Sequence, residues 1–251
     1  MLIDQRGADM QYEKRELIAE GKTKRVWATQ NDRLVIVEFK DDALNYHGKK
    51  HVFFHGKGAL SNQINAYLQK LLEENGILTH FKCKYSDTES VMHLAEMIPV
   101  EVVVRNYTAG TMCQRLGLPE RMRLKAPVLE FCYKSDELGD PVINEYHAYA
   151  MGLCTREELA NMCYTVSRIN KVLVDTMKKI GIVVADFKVE FGRINGRLVV
   201  ADELTPTVSR MWNAETLSKF DTDGTNPALD YEIVLQRLTD LLGKDYGTVK
   251  S

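Results

Sequence analysis

The chain has 251 residues, and its 33 lysine and arginine residues nearly balance its 35 aspartate and glutamate residues, so the formal net charge is −2. Hydrophobic residues make up 45% of the chain and charged residues 27%, which is typical of a globular protein of one or two domains. This balance excludes collagen-like, coiled-coil and disordered chains. The small net charge also leaves no overall basic field of the kind that a generic nucleic-acid-binding protein carries.

Targeting and redox features favour a reduced cytoplasmic protein with no membrane partner. The N-terminal MLIDQRGADM has no basic region followed by an apolar stretch, so it predicts no secretory signal. The longest apolar runs, such as residues 102–104 and 182–185, are far too short to span a bilayer. The cysteines are odd in number and none has C-x-x-C spacing, which argues against a disulfide framework.

The first third of the chain is predicted to consist of strands around one helix. Residues 22–28 and 34–40 flank a turn-like Gln-Asn-Asp-Arg and predict a β-hairpin. Apolar residues recur at helical spacing over residues 57–75, which predicts a helix. Residues 77–84 and 90–95 are predicted to be strands.

A lobe boundary is expected near Pro99, which interrupts the chain. It separates a β-rich lobe of residues 1–97 from an α+β lobe of residues 98–251. Directly after Pro99, the β-branched run at residues 100–105 predicts a buried strand.

Two long helices are predicted in the last third. The longer begins with a capping box at Thr155 and ends at Gly181. The other begins at Asn226-Pro227 and ends near Gly243. Because strands dominate early and long helices flank a hairpin late, the fold class is predicted to be α+β and not a repeated βαβ pattern.

The segment around Asp186, Lys188 and Glu190 is the most informative for chemistry. Side chains alternate along a strand, so these three residues share one face while apolar residues occupy the other. Two carboxylates beside one lysine are costly to crowd together unless a divalent cation or a phosphate compensates them. Asn195-Gly196 then predicts a hairpin turn that leads into a return strand and Asp202.

The register of this hairpin decides whether it can form a metal site. A two-residue turn pairs Glu190 with Ala201 and puts Asp202 on the apolar face, whereas a three-residue loop with a bulge pairs Glu190 with Asp202. In the second register the two carboxylates could bind one Mg²⁺, which takes one or two carboxylates together with phosphate oxygens. The alternative is a solvated hairpin face with an incidental charge pair.

Two further segments carry basic residues suited to anions. The turn from Gly21 to Lys24 contains Lys22 and resembles a Walker A motif only superficially, because a strand and not a helix follows it. It predicts a phosphate-binding turn or an ordinary solvated turn. Arg105 lies at a strand end before Thr108-Ala109-Gly110-Thr111, which opens a short helix. It could bind an anion there or pair with a local acid.

Other residues with possible chemistry receive a plainer interpretation. Residues 205–212, which include Ser209 and Arg210, are predicted to form a loop from which Arg210 could reach the same cleft as Asp202. Histidines at positions 47, 51 and 55 have helical spacing, but glycines break any helix there, so exposed histidines are expected. Cys163 is expected to belong to the core.

Taken in their order and spacing, these segments resemble the SAICAR synthetase family of purine biosynthesis. The resemblance covers residues 16–212, and the motifs are specific as a set, although no single one is. The matching stretches are EGKTKRVW at 20–27, FKDDA at 39–43, GKGALSNQI at 56–64, SDTES at 86–90, IPVEVVVRN at 98–106, RLGL at 115–118, DFKVEFG at 186–192, ADELTP at 201–206 and the Ser-Arg-x-Trp at 209–212.

The resemblance implies a fold and a reaction. The fold is two-lobed, with a β-rich N-terminal lobe, a larger α+β lobe and an ATP cleft between them. The reaction is that of an ATP-dependent carbon–nitrogen ligase. It activates the carboxylate of CAIR, a ribosylated aminoimidazole, as an acyl phosphate, and joins it to the amine of L-aspartate with the help of Mg²⁺.

Carried over by position, the resemblance also implies roles for individual residues and the kinds of partner. The cofactor-binding residues are Gly21, Lys22 and Lys24, and the metal ligands are Glu190 and Asp202. The catalytic residues are Asp186, Lys188 and Arg210, and the substrate-binding residues are Arg105, Thr111, Ser209 and Arg210. The expected partners are small molecules, namely a CAIR-like carboxylate and L-aspartate or another amine. No nucleic-acid or membrane partner is expected, and a homodimer is possible.

The chain departs from the family pattern where the substrates are expected. Thr207 stands where the family has an aspartate, residues 220–225 lack its basic residues, and small changes occur at 44–45 and 108–111. Three alternatives follow: a related ligase for a different carboxylate or amine, a small-molecule kinase, and a nucleotide-binding module without catalysis. The last is disfavoured because binding alone would not require the intact Asp186, Lys188, Glu190 and Asp202.

Overall fold

The structure is a computed structural model, and it describes residues 12–44, 51–221, 226 and 228–244. Of the features singled out in the sequence, His47, residues 222–225 and Pro227 lie outside the described residues. No helix in the described part of the chain is long and apolar enough to cross a membrane.

The described residues form strands and helices in mixed order. The strands are β1 (Leu17–Glu20), β2 (Lys24–Ala28), β3 (Leu34–Phe39), β4 (Asp42–Leu44), β5 (His51–Phe53), β6 (Phe81–Lys84), β7 (Glu89–His93), β8 (Glu96–Tyr107), β9 (Arg123–Tyr133), β10 (Val142–Ile143), β11 (Ile182–Ile194), β12 (Arg197–Ala201) and β13 (Ser209–Asn213). The helices are α1 (Lys57–Glu74), α2 (Thr111–Leu116), α3 (Glu145–Ala150), α4 (Arg156–Lys179) and α5 (Leu229–Leu242).

The chain divides into two compact units. Among the described residues, one unit contains those up to Lys70, those from His80 to Leu94 and those from Asn226 onward, and the other contains Leu71–Thr79 and those from Ala95 to residue 221. The lobes predicted from the sequence, residues 1–97 and 98–251, stay a prediction.

The first unit is built on a five-stranded antiparallel sheet in the order β1-β2-β3-β7-β6, and β4 and β5 form a separate pair. The predicted hairpin is confirmed, because Lys24 pairs with Phe39 and Ala28 with Val35. Helix α1 also forms as predicted, and its Ala66 packs against Val35 and Phe39 of β3. The apolar faces of β3 and α1 therefore provide one core of this unit.

The second unit is built on a larger antiparallel sheet in the order β10-β9-β8-β11-β12, with β13 paired to the first half of β11. Helix α4 packs on β11, and the predicted capping box of Thr155 and Glu158 is present. Apolar residues at helical spacing form the buried face of α4: Leu159, Met162, Val166, Ile169, Leu173 and Met177. Antiparallel sheets with packed helices confirm the α+β class.

Several sequence-based boundaries are wrong. Strand β8 runs through Pro99, so this proline does not interrupt it. Glu101 pairs with Glu190 but Met97 pairs with Gly192, so three residues of β8 bulge opposite one residue of β11. Pro99 lies in this bulge, where its missing N–H removes no ladder hydrogen bond to β11.

Other differences lie at element ends and in one loop. Residues 205–212 were predicted to be a loop, but Ser209–Asn213 forms β13 and pairs with β11. Strand β6 begins at Phe81 rather than at residue 77, and α5 begins at Leu229 rather than at 226. Strand β9 was not predicted. It contains Pro127, which lies at an irregularity of its pairing with β8.

Candidate functional site

Charged residues gather on one face of the second sheet. Along β11, Asp186, Lys188 and Glu190 alternate with Phe187 and Val189, which are each 1% exposed, so the apolar face is buried as predicted. On the neighbouring strands, Arg105 and Arg210 lie directly opposite Asp186, and Glu101 lies opposite Glu190. Directly opposite residues share a face, so the register collects these charges on one side of the sheet.

Asp186 holds two arginines together. Its Oδ2 atom accepts hydrogen bonds from Arg105 Nη1 at 2.8 Å and from Arg210 Nη1 at 2.6 Å. Burial raises the pKa of Asp186, and the guanidinium groups of Arg210 and Arg105 oppose that rise. Since both arginines bond one oxygen, their guanidinium groups are neighbours, an arrangement suited to a doubly charged anion.

Arg105 also pairs with the local acid that the plainer interpretation of the sequence expected. Its Nε donates to Glu130 Oε2 at 2.6 Å, and its Nη2 donates to the Thr111 hydroxyl at 3.2 Å. Arg115 donates to the other oxygen of Glu130. Burial acts to raise the pKa of Glu130, but hydrogen bonds from Arg105 and Arg115 outweigh it, and the pKa is lowered.

These five groups form one chain of alternating charge, which we call the arginine ladder: Arg210, Asp186, Arg105, Glu130 and Arg115. Three positive groups meet two negative ones, so the ladder carries an excess positive charge. Its centre is buried, whereas the side chains of Arg210 and Arg115 at its ends are 40% and 37% exposed. The excess charge is therefore accessible to a dissolved anion.

Gly110 makes room for one end of the ladder. A Cβ atom added at Gly110 would clash with the guanidinium group of Arg210, and the φ of 57° there disfavours other residues as well. The predicted short helix α2 begins directly after it, and Gly117 ends this helix in the left-handed conformation.

A second cluster on the same face is acidic. Glu101 and Glu190 oppose each other across β8 and β11, an arrangement of like charges that is destabilising by itself. Lys188 lies between them, with Nζ 2.6 Å from Glu101 Oε1 and 2.9 Å from Glu190 Oε1. Burial acts to lower the pKa of Lys188, but Glu190, Glu101 and Asp202 outweigh it, and the pKa is raised. Lys188 is therefore an ammonium ion at neutral pH and not a base.

A second lysine binds the carboxylate of Glu190. The Lys134 Nζ atom lies 2.5 Å from both Glu190 oxygens, which is the chelating position that a metal ion would take. The side chain of Lys134 is 47% exposed, whereas that of Glu190 is 1% exposed. The ammonium group of a half-exposed lysine thus lies on the two oxygens of a buried carboxylate.

The hairpin register is the two-residue one. Ile194 pairs with Arg197 across Asn195-Gly196, and Glu190 pairs with Ala201, so the register that puts Asp202 opposite Glu190 is wrong. Strand β12 ends at Ala201 and Asp202 has a φ of 60°, so strand alternation does not put Asp202 on the apolar face either. Its charge still acts on Lys188, so it belongs to the same acidic cluster.

The structure gives fewer contacts for the two remaining predicted sites, the turn from Gly21 to Lys24 and Ser209. In the first unit, the Gly21 N–H donates to Lys24 O at 2.9 Å, closing a tight turn with Lys22 exposed at its tip. In the second unit, Ser209 lies opposite Phe187 and not on the Arg210 face, and its hydroxyl donates to Thr205 O at 2.7 Å. These contacts give no support to the substrate-binding role predicted for Ser209, which stays a prediction.

Sequence reasoning missed four members of the two clusters. Glu101 stood in a run interpreted only as a buried strand, and Arg115 stood in the matched RLGL without an assigned role. Glu130 and Lys134 belong to β9 and its end, which the sequence did not predict. Only the pairing of β9 with β8 brings them to the site, and no signal in the sequence gives that pairing.

Comparisons with known proteins identify the family. The profile of the SAICAR synthetase family matches residues 17–249. The phosphoribosylaminoimidazole-succinocarboxamide synthase of Coprothermobacter proteolyticus is 45% identical over 212 residues, covering 84% of this chain and 90% of the relative. The crystal structure of the enzyme of that name from Ehrlichia chaffeensis has a TM-score of 0.86 and 35% identity, covering 89% of this chain and 98% of that one.

A second solved structure bears on the nucleotide. It is that of a SAICAR synthetase in complex with ADP, and it has a TM-score of 0.84 and 39% identity, covering 90% of this chain and 98% of its own. The matches extend over nearly the full length of these relatives, and the family profile spans every residue of the arginine ladder and of the acidic cluster. The chain belongs to the SAICAR synthetase family.

Proposed function

We propose that the protein is an ATP-dependent carbon–nitrogen ligase that joins CAIR and L-aspartate to give SAICAR in purine biosynthesis. The observation that carries this proposal is the pairing, on one sheet face, of a cationic arginine ladder with an acidic cluster. The arginine ladder suits an anionic nucleotide substrate, and the acidic cluster suits a divalent cation. Relatives with curated names for this activity, at 45% identity over most of the chain, support it.

Within the arginine ladder, Arg105 and Arg210 are proposed to bind the phosphate of the imidazole nucleotide. Arg105 and Arg210 share Asp186, and the exposed Thr111 adds a hydroxyl next to Arg105. Paired guanidinium groups recognise phosphate in a bidentate manner with fixed geometry. In this assignment, Asp186 orients both arginines rather than taking a proton from a substrate, because its buried Oδ2 is already committed to them.

The acidic cluster fits Mg²⁺. The carboxylates of Glu101, Glu190 and Asp202 all act on Lys188, and Lys134 pairs with Glu190 from the solvent side. We propose Glu190 and Asp202 as the protein ligands, with phosphate oxygens completing the coordination. Among the described residues, no group of three or more potential ligands forms an all-protein metal site, and Mg²⁺ on a nucleotide does not require one.

ATP is the proposed energy source because a carboxylate at neutral pH is a poor acyl donor. The carboxylate oxygen of CAIR attacks the γ-phosphorus of ATP, ADP leaves, and an acyl phosphate forms. The aspartate amine then attacks the acyl carbon, inorganic phosphate leaves, and the nitrogen loses a proton. Bound Mg²⁺ would neutralise charge on the transferring phosphoryl group.

The chain's own residues supply position and charge for these steps. Lys188 remains protonated, so it stabilises negative charge on the phosphoryl or carboxylate oxygens and does not act as a base. Lys22 and Lys24, with Gly21 in the same turn, are proposed to bind ATP phosphates. The solved relative in complex with ADP supports nucleotide binding as such.

The test is turnover of ATP with CAIR and each amino acid in turn, with products identified by mass. The expected result is SAICAR, ADP and inorganic phosphate with L-aspartate only. An amide formed with another amine would point to a ligase of different specificity. ADP formed together with a phosphorylated acceptor, and no amide under any combination, would point to a kinase and contradict the proposal.

A further inference from the structure

The hydrogen bonds of Arg105 are almost fully used by the protein. An arginine side chain has five N–H donors in a fixed plane. Those of Arg105 reach Glu130 from Nε, Asp186 and the Ala109 carbonyl from Nη1, and the Thr111 hydroxyl from Nη2. One Nη2 N–H has no partner among the described residues. It belongs to the same nitrogen that donates to the exposed Thr111.

The orientation of that free N–H depends on Glu130. Glu130 takes the Nε edge of the guanidinium at 2.6 Å, and Asp186 takes Nη1 at 2.8 Å, so the plane is held from two directions. Without the Nε contact, Asp186 is the one carboxylate left on the guanidinium, beside the neutral oxygens of Ala109 and Thr111, so the plane is less tightly fixed. Glu130 thus helps to set which N–H is presented to a ligand.

Glu130 is itself held by Arg115. The side chain of Glu130 is 10% exposed, and its second oxygen accepts a hydrogen bond from Arg115, which projects from helix α2. The backbone N–H of Thr111 begins the same helix. Arg115 therefore links the orientation of Glu130 to helix α2, which also carries Thr111. The two groups proposed to bind the anion, Arg105 and Thr111, thus both depend on this helix.

We propose that Glu130 and Arg115 are positioning residues for the anionic substrate: Arg115 fixes Glu130, and Glu130 fixes Arg105 so that its free N–H converges with the Thr111 hydroxyl. This rests on the proposed function, in which Arg105 binds the phosphate of CAIR. Neither residue touches the substrate. Arg115 acts only on Glu130, and Glu130 acts only on Arg105. This order of action distinguishes the two residues from residues that contact the ligand and from residues that merely support the fold.

The serial arrangement predicts a specific kinetic pattern. Glu130→Gln keeps the size of the side chain but removes the charge, and we expect the KM for CAIR to rise about tenfold because a charge-assisted hydrogen bond is weakened. Arg115→Met should raise it by a similar or smaller factor. The KM values for ATP and L-aspartate should stay within twofold of wild type, and kcat should change less than the KM for CAIR.

The double variant is the decisive measurement. If Arg115 acts only through Glu130, then Arg115→Met adds little in the Glu130→Gln background, and the two effects are not additive. Arg115→Lys should recover part of the loss, since it restores a donor to Glu130. Asp175→Asn, which removes a carboxylate from the exposed Lys171–Asp175 pair on α4, serves as the control and should change none of these constants.

Several outcomes would overturn the inference. Additive effects would mean that Arg115 contacts the ligand on its own, and equal rises in all three KM values would mean a general structural loss. An unchanged KM for CAIR in Glu130→Gln would mean that Arg105 needs no positioning. Thermal unfolding of each variant checks folding, and Glu130→Asp provides a second test if Glu130→Gln unfolds. If wild type forms no SAICAR, the proposed function fails first, and this inference fails with it.

Discussion

Lys134 and Glu190 form an ion pair in which one ammonium nitrogen lies 2.5 Å from both carboxylate oxygens. Lys188 also reaches Glu190, at 2.9 Å, so this buried carboxylate is held by two cations. Because Lys134 is half exposed and Lys188 is largely enclosed, Lys134 is the one that can move aside. It occupies the position that a divalent cation bound to Glu190 would take.

We therefore expect Lys134 to compete with divalent cations in the nucleotide-free protein. Lys134→Met should tighten Mn²⁺ binding, used here in place of Mg²⁺, by about five- to tenfold, since a nearby positive charge is worth roughly 1 kcal/mol at a partly solvated site. Glu190→Gln and Asp202→Asn should weaken it. Free Mn²⁺ measured by electron paramagnetic resonance gives the affinity directly.

The control for Mn²⁺ binding is Lys171→Met, which removes the same charge from an exposed pair on α4. It should leave the affinity unchanged. Equal affinities of wild type and Lys134→Met would contradict the competition. Unchanged binding in both Glu190→Gln and Asp202→Asn would remove the acidic cluster from consideration as the metal site.

The turn at Gly21 to Lys24 gives a prediction about nucleotide affinity. Lys22→Ala and Lys24→Ala should each weaken ATP binding, by about fivefold at low ionic strength and by less at high salt, because ions screen exposed charges. Isothermal titration with ATP at two salt concentrations measures both values. If both variants bind ATP as wild type does, with Lys171→Ala as the control, the turn is ordinary surface.

Local patterns predicted the regular elements well. The apolar spacing of α4, its capping box and the Asn195-Gly196 turn are each formed by residues close in sequence, and all are present. Pro99 misled the prediction because a bulge removes the need for its N–H toward β11. Whether a proline breaks a strand depends on the partner strand, and a distant partner leaves no local pattern.

The residues of the candidate site likewise divide into those that a local pattern predicts and those that depend on a long-range strand pairing. Asp186, Lys188 and Glu190 share one strand, so simple alternation put them on one face, and the structure agrees. Glu130 and Lys134 reach this face only through the pairing of β9 with β8, which joins residues far apart in sequence. Long-range pairings of this kind leave no periodic signal, so these two partners could not be found from the sequence.

The ion pair of Glu158 with Arg193 predicts a pH dependence of stability. The hydrogen bond from Arg193, at 2.5 Å, is the main reason that the pKa of Glu158 is lowered to about 2. A carboxyl group with a depressed pKa stabilises the fold above its unfolded pKa, near 4.5, and loses that contribution as the pH falls towards 2.

Glu158→Gln should therefore lower the free energy of unfolding at pH 7 by about 1 to 2 kcal/mol, less than the full shift implies because solvent partly screens the pair. The difference from wild type should shrink between pH 4.5 and pH 2. Urea unfolding across this range measures it. Asp175→Asn, on the same helix but in an exposed ion pair that solvent screens, should show a smaller change at every pH, and a constant difference for Glu158→Gln would contradict the ion-pair origin.

Gly110 gives a prediction about substrate affinity. Gly110→Ala should raise the KM for CAIR at least tenfold, because the new Cβ atom displaces the guanidinium of Arg210. Gly117→Ala is a suitable control: its φ of 62° is also positive, but no atom lies within 4 Å of the added Cβ. It should cost stability without a specific rise in the KM for CAIR. Similar KM values in the two variants would mean that Arg210 can move without loss.

The last prediction concerns Thr207, which stands where the family pattern has an aspartate. Thr207 is exposed, and its backbone N–H donates to Thr205 Oγ1 at 3.2 Å in the turn that leads to Arg210. A carboxylate here could orient the incoming amine or take its proton, which is typically worth about 10²- to 10⁴-fold in rate, whereas threonine cannot do either. We therefore expect Thr207→Asp to raise kcat/KM for L-aspartate with CAIR, with the gain growing above the pKa of the new carboxyl group. Thr207→Asn introduces a side chain with the shape of aspartate but without its charge, and it should not produce the gain. A fall in activity with Thr207→Asp, and none with Thr207→Asn, would mean that the pocket is adapted to a neutral residue and that the departure from the family pattern is tolerated without loss of function.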